Sequence, residues 1–187
     1  GLGLSVITTE IYTVVVFTPG GPTFDLTTAM ANNVKALYVV AIGGGGGGGA
    51  AASSQSFGAA GGGGGGGGRS EQFILTSSLA GANIVLTVGT PGAGATVAGS
   101  GTNAGTDGGQ TCFSDLVCAN GGNGAPASMG GVKGTTVQKS AGGTGAGVGT
   151  GDVLYMGGNG GQGLHYYAVA TTLPSQMYSA GAGGGAG

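Results

Sequence analysis

His165 is the single imidazole of the chain, and the carboxylates Asp107, Asp115 and Asp152 each stand beside turn-forming residues. Hydrolysis needs a paired acid and base, or a nucleophile next to an imidazole. Six carboxylates standing singly along the chain and one histidine within an apolar stretch offer no such set, and these three aspartates read as residues that cap or bend the backbone. A phosphate-cradling loop fares no better. The glycines at 43–49 follow the apolar segment 36–42, but no helix-forming sequence and no ribose-binding acid come after them, and no Gly-Lys-Ser/Thr is present. Cys112 and Cys118 would face each other if the chain turned around Asp115, so the spacing is compatible with a hairpin disulfide and equally with two buried thiols. With one histidine they are too few to hold a structural zinc. The expectation is a protein without catalytic residues, metal or cofactor, and not an enzyme.

Recognition has better material. Tyr155 and Met156 on one side and His165, Tyr166 and Tyr167 on the other flank a glycine stretch at 157–163, with Gln162 within it and Tyr178 beyond. Aromatic and amide side chains on loops carried by a rigid scaffold suit binding of carbohydrate or protein, because they give contact area at low entropic cost. Phe57, alone in a Ser-rich insert, is a second candidate loop tip. The competing assignment for Tyr155, Tyr166 and Tyr167 is that they cap glycine segments or pack at a subunit interface.

Whatever positions these residues must be built largely from glycine. Gly accounts for 51 of the 187 residues and Pro for 5, with uninterrupted glycine at 43–49 and 61–68. A glycine run buries no side chain and gives up much backbone freedom, so only backbone hydrogen bonding between neighbouring extended segments can hold it. Polyproline-II geometry, with about three residues per turn and every N–H and C=O pointing outward, allows that packing. Between the glycines lie stretches dense in β-branched and aromatic residues. Residues 4–17 read as one or two strands, 18–22 as a turn, 27–33 as a helical turn and 34–42 as a strand. Residues 69–76 and 83–88 read as two antiparallel strands, and 164–170 as a last strand. From 89 to about 151 glycine recurs without a fixed period, which excludes collagen. The segments 50–60 and 157–163 read as connecting loops. The expected fold is all-β: a small sheet or sandwich combined with packed polyglycine-II-like segments. Leu4, Val6, Ile7, Ile11, residues 14–17, Leu37, Val39, Phe73, Leu75, Ile84 and Leu86 are its expected core or interface.

Charge narrows the partners. Six acidic and four basic residues stand singly, and Lys35, Arg69, Lys133 and Lys139 form no cluster, so nucleic acid is not an expected partner. So few charges suit an assembly component or an extracellular protein better than a free cytosolic enzyme. No apolar stretch approaches the roughly 18 residues of a membrane span.

The order of these pieces resembles the glycine-rich domains of bacteriophage virion proteins, found in tail fibres, tail spikes and distal adhesins. The residues carrying the likeness are Thr23 and Phe24, the strand 36–42 with its glycine run, Ser53 to Ser56, the second run, the strand 84–88 ending at Gly89, and Gly108 to Ser114 with Ala119 to Gly122. The likeness covers roughly residues 22–187, leaving 1–21 as an N-terminal strand segment that could serve as an attachment arm. The sequence departs from the pattern in lacking a proline after Phe24. The resemblance implies a virion-surface structural protein of stacked polyglycine-II sheets, whose variable loops touch a host carbohydrate or outer-membrane protein and whose partners are other virion proteins. Fibres of this type are usually trimers, although no coiled-coil heptad is present. A capsid decoration protein or head fibre anchored through residues 4–17 is the alternative. An ice-binding-like extracellular glycine-helix protein is a further one, for which Thr96, Thr102, Thr106 and Thr111 are unevenly spaced.

Overall fold

The computed structural model describes residues 13–19, 33–51, 57–59, 61–96, 102–126, 129–132 and 138–165. The strands are β1 (Ala36–Ile42), β2 (Ala50–Ala51), β3 (Phe57–Ala59), β4 (Arg69–Leu75), β5 (Leu86–Thr87), β6 (Thr102–Asn103), β7 (Thr111–Phe113), β8 (Val117–Ala119), β9 (Met129–Val132), β10 (Gln138–Ser140), β11 (Val153–Tyr155) and β12 (Gly163–His165). One 3-10 turn, Thr76–Leu79, is the only helical element among the described residues. The fold is all-β.

Two three-stranded antiparallel sheets, in the orders β1-β4-β11 and β5-β7-β8, form a small sandwich. Ala41, Ile74, Leu79, Phe113, Val117 and Ala119 fill it, with Leu37, Val39, Ile84 and Leu86 packed against them. A buried hydroxyl ties the sheets together, since Ser70 Oγ donates to the Cys118 carbonyl at 2.6 Å. Thr76 closes the far end by donating its hydroxyl to the carbonyls of Val34 and Lys35.

Two sequence expectations change here. The segment 83–88 is not the partner of 69–76: it yields only the short β5, which pairs with β7 in the opposite sheet. The 3-10 turn and the positive φ of Gly81 (78°) carry the chain across from one sheet to the other. Phe73 and Leu75, expected in the core or an interface, are not in the core. They point outward at 61% and 54% exposure, while Ile74 between them is buried, because successive strand residues face opposite sides. The helical turn expected at 27–33 falls almost entirely outside the described residues, and Thr13 to Thr18, at the end of the expected N-terminal strand, belong to no strand.

Beyond the sandwich the strands run on as extended glycine segments without losing register. Ile42 faces Arg69 at the end of the β1–β4 ladder. Gly43, Gly46 and Gly49 then donate their N–H groups to the carbonyls of Gly68, Gly65 and Gly62 at 2.9, 2.7 and 2.9 Å. The β4–β11 ladder continues in the same way, with Gly66 bonding Gly158 and Gly63 bonding Gly161. So does β7–β8, with Gly108 bonding Gly122 and Gly105 bonding Ala125. Every bond recurs after three residues, the period of polyglycine II.

Seven such helices are joined by these bonds: residues 43–49, 61–68, 89–95, 105–109, 120–126, 141–147 and 157–162, called the first to seventh helices in chain order. They lie in two rows. Bonds run along one row in the order third, first, second, seventh, and along the other in the order fourth, fifth, sixth. The fourth helix bonds to the third and first, the fifth to the first and second, and the sixth to the second and seventh, so each helix of the shorter row sits in a groove of the longer one. Successive helices alternate in direction.

Candidate functional site

The lattice dictates where side chains are permitted. The first, second and fifth helices each bond to four others; the first two are the uninterrupted glycine runs, while the fifth keeps Asn120, Asn123 and Pro126 on its outward side. A Cβ on Gly43 or Gly46 would lie 2.0 or 2.1 Å from a carbonyl oxygen of the fifth helix. One on Gly44 or Gly47 would lie 2.2 or 1.9 Å from a carbonyl oxygen of the third, and one on Gly62 or Gly65 2.0 or 1.9 Å from a carbonyl oxygen of the sixth. The third helix lies at the edge and bonds only to the first and fourth, so Thr90, Pro91 and Ala93 fit there and a Cβ on Gly94 would meet nothing within 4 Å. The spacing from 89 to 151 therefore has a period after all, three residues within each segment, and the chain resets it at every turn.

Several outward polar side chains of the lattice clamp neighbouring helices together. The Asp107 carboxylate accepts from the Gly124 N–H at 2.8 Å, and Asn159 Oδ1 accepts from the Gly145 N–H at 2.8 Å. Asn120 Nδ2 donates to the Val148 carbonyl at 2.8 Å, and Asn123 Nδ2 donates to the Thr144 hydroxyl. Asp107 thus satisfies backbone across a lattice seam. Asp107→Ala is expected to cost about 1 kcal/mol, read as a lowered denaturation midpoint, because one outer amide loses its acceptor to water competition alone.

Cys112 and Cys118 face each other across β7–β8 and are joined by a disulfide, around the turn in which Ser114 takes φ 47°. Gln110, Asp115, Asn120 and Thr150 line a cavity of about 310 Å³ beside it. Among the described residues no three His, Cys, Asp or Glu side chains gather into a metal-binding group. The disulfide closes the short β7–β8 hairpin loop of the sandwich. Replacing both cysteines by Ser is expected to cost about 2 kcal/mol in the oxidised protein, measured against wild type by urea denaturation.

The recognition candidates separate into two groups. The stretch 157–162 is a lattice helix and not a connecting loop: Gly157 and Gly160 donate to Ala146 and Gly143, and a Cβ on either would strike the second helix. Being extended at about 3.1 Å per residue, it holds Met156 and Gln162 roughly 20 Å apart. Tyr155 and Met156 stay at the sandwich end, where Arg69 lies over the Tyr155 ring at 5.4 Å. Gln162 and β12, which contains His165, are at the opposite end, with β12 paired to β10. Phe57 is at that opposite end too, in β3 paired with β9. The expected connecting loop at 50–60 accordingly begins and ends in short strands, β2 and β3. Tyr166, Tyr167 and Tyr178 lie outside the described residues.

All seven helices thus start or finish together, with the hydrophobic core at one end and the short pairs β2–β6, β3–β9 and β10–β12 at the other. A family model described as a glycine-rich domain matches residues 20–187. The chain belongs to the glycine-rich domain family. No curated protein and no solved structure matches it. For this glycine-rich domain the polarity of the bundle was hidden in the sequence, because nothing in residues 157–163 distinguishes a lattice helix from a loop until its neighbours are known.

Proposed function

We propose that this glycine-rich domain is a non-enzymatic display module on the surface of a tailed-phage virion, in a tail fibre or tail-tip adhesin, that offers its distal end to a host carbohydrate or outer-membrane protein. The observation carrying this reading is the segregation of the two ends. Packing and the disulfide are concentrated in the sandwich, the lattice serves as a stiff spacer, and the segments that join helices at the far end can change without touching either. The phage assignment rests on the resemblance in the order of strands and glycine runs.

Adsorption tests it. Substituting Phe57, Gln162 or His165 by Ala is expected to lower particle adsorption at least about tenfold, while Met156→Ala at the sandwich end leaves it unchanged. Equal effects at both ends would remove the distal end as the receptor surface.

A second reading, a capsid decoration protein or head fibre, draws on one observation. Val14, Val15 and Val16 are 74%, 59% and 72% exposed, an apolar arm able to add to a neighbouring sheet edge. Antibody labelling of intact particles separates the two, because signal on the capsid shell excludes the tail.

A further inference from the structure

We infer that the outer face of the β1-β4-β11 sheet is a twofold interface between two copies of this chain. The face is the side of the sheet turned away from the sandwich core, and the ladder sets its rows: Tyr38 beside Phe73, Val40 beside Glu71 and Val153, Ile42 beside Arg69 and Tyr155. Tyr38 is 63% exposed, Phe73 61%, Leu75 54%, Ile42 52%, and Val40 and Tyr155 42% each. At typical side-chain areas these fractions amount to on the order of 700 Å² of contiguous, mostly apolar surface, above the few hundred Å² usual on a monomer and close to what each partner gives to a standard interface.

Electrostatics identifies the occupant. The two charges in the face neutralise one another: Arg69 Nη2 lies 2.5 Å from Glu71 Oε1, Tyr38 donates its hydroxyl to the same carboxylate, and Glu71 is only 5% exposed. The guanidinium is further covered by the Tyr155 ring. The face therefore presents no net charge for an acidic or basic partner to pair with. It matches a second apolar, internally neutralised sheet face, and the same face on another copy is one. Net charge sets no barrier, since each chain carries only −2. A self-complementary patch closes as an isologous pair, and two sheets pack face to face about 10 Å apart.

The inference does not depend on which particle, if any, carries the chain. Light scattering on the full chain is expected to give twice the 17.2 kDa chain mass. Phe73→Lys, at a residue already turned outward, is expected to raise the dimer dissociation constant at least about 30-fold with an unchanged far-UV spectrum. Should that variant misfold, Val40→Cys in the middle of the face decides the matter: a short bismaleimide is expected to link two chains, the native cysteines being paired with each other. A monomeric wild type overturns the proposal. A three-chain mass, a dimer indifferent to Phe73→Lys or absence of the crosslink overturns it equally.

Discussion

Gly65→Ala is expected to lower the urea midpoint sharply, whereas Gly94→Ala leaves the protein folded and slightly more stable. Both add one methyl to an extended glycine with negative φ. At Gly65, in the second helix, the new Cβ falls 1.9 Å from the Thr144 carbonyl oxygen, a distance no real Cβ tolerates, and the obstacle is backbone that cannot turn aside. Opening the lattice there breaks the bonds that Gly65 donates to Asn123 and accepts from Gly46. The loss is expected to exceed about 3 kcal/mol, from overpacking and unsatisfied backbone combined. At Gly94, in the edge helix, the Cβ meets nothing within 4 Å. There the dominant effect is on the unfolded chain, which loses freedom, and a gain of about 0.4–1 kcal/mol follows. Gly46→Val and Gly64→Val belong with Gly65, since each would place a Cβ within 2.1 Å of a neighbouring carbonyl oxygen. Urea midpoints of Gly65→Ala and Gly94→Ala, measured side by side, check the pair. Similar midpoints would mean that residues 61–68 form a flexible linker and that the two-row lattice is wrong.

That contrast marks the boundary of what composition could convey. The pure runs at 43–49 and 61–68 announced close packing because nothing else could order so much glycine, and the strands on either side of them were plain from their β-branched and aromatic residues. The mixed segments were opaque. Whether Thr90 or Gly92 faces a neighbour depends on which helix lies beside it, and that follows from six turns elsewhere in the chain. The face of β1 was legible in part: Leu37 and Val39, expected in the core or an interface, do pack against the core, but Tyr38, Val40 and Ile42 on the other side are equally apolar, and in β4 the same kind of reading put Phe73 and Leu75 on the side that turns outward. Tyr38 and Phe73 stay apolar on the outside, next to a neutralised ion pair, which is the pattern of a surface with a partner. For the cysteines the undetermined element was the turn, because the left-handed conformation of Ser114 is what brings Cys112 opposite Cys118.

Phe113→Ala is expected to melt the lattice together with the sandwich. Phe113 is 6% exposed and faces Val117 across the β7–β8 hairpin, and it is the largest side chain of a core of only six buried residues among those described. A loss of about 3–5 kcal/mol is expected, a large part of the 5–15 kcal/mol that a domain of this kind has in total. The glycine helices cannot make up the difference, since they bury almost no side-chain area and each of their backbone bonds nets only about 1 kcal/mol against water. Their register, moreover, is that of the strands: the first and second helices extend the β1–β4 ladder, and the fourth and fifth extend β7–β8. Freeing the strands frees the helices to slip against one another, and glycine has no side chain to resist slipping. In hydrogen exchange on the variant, the amides of Gly44, Gly47, Gly105 and Gly108 are therefore expected to exchange through the same global opening as those of β1 and β4, with protection reduced at least about 100-fold from wild type. Lattice amides that kept their protection while the strand amides lost theirs would assign the stability to backbone bonding alone and reduce the sandwich to an appendage. The unbroken ladders favour the first outcome, because the core holds six of the seven glycine helices in place through the strand that each continues, and the sixth is held by its bonds to them.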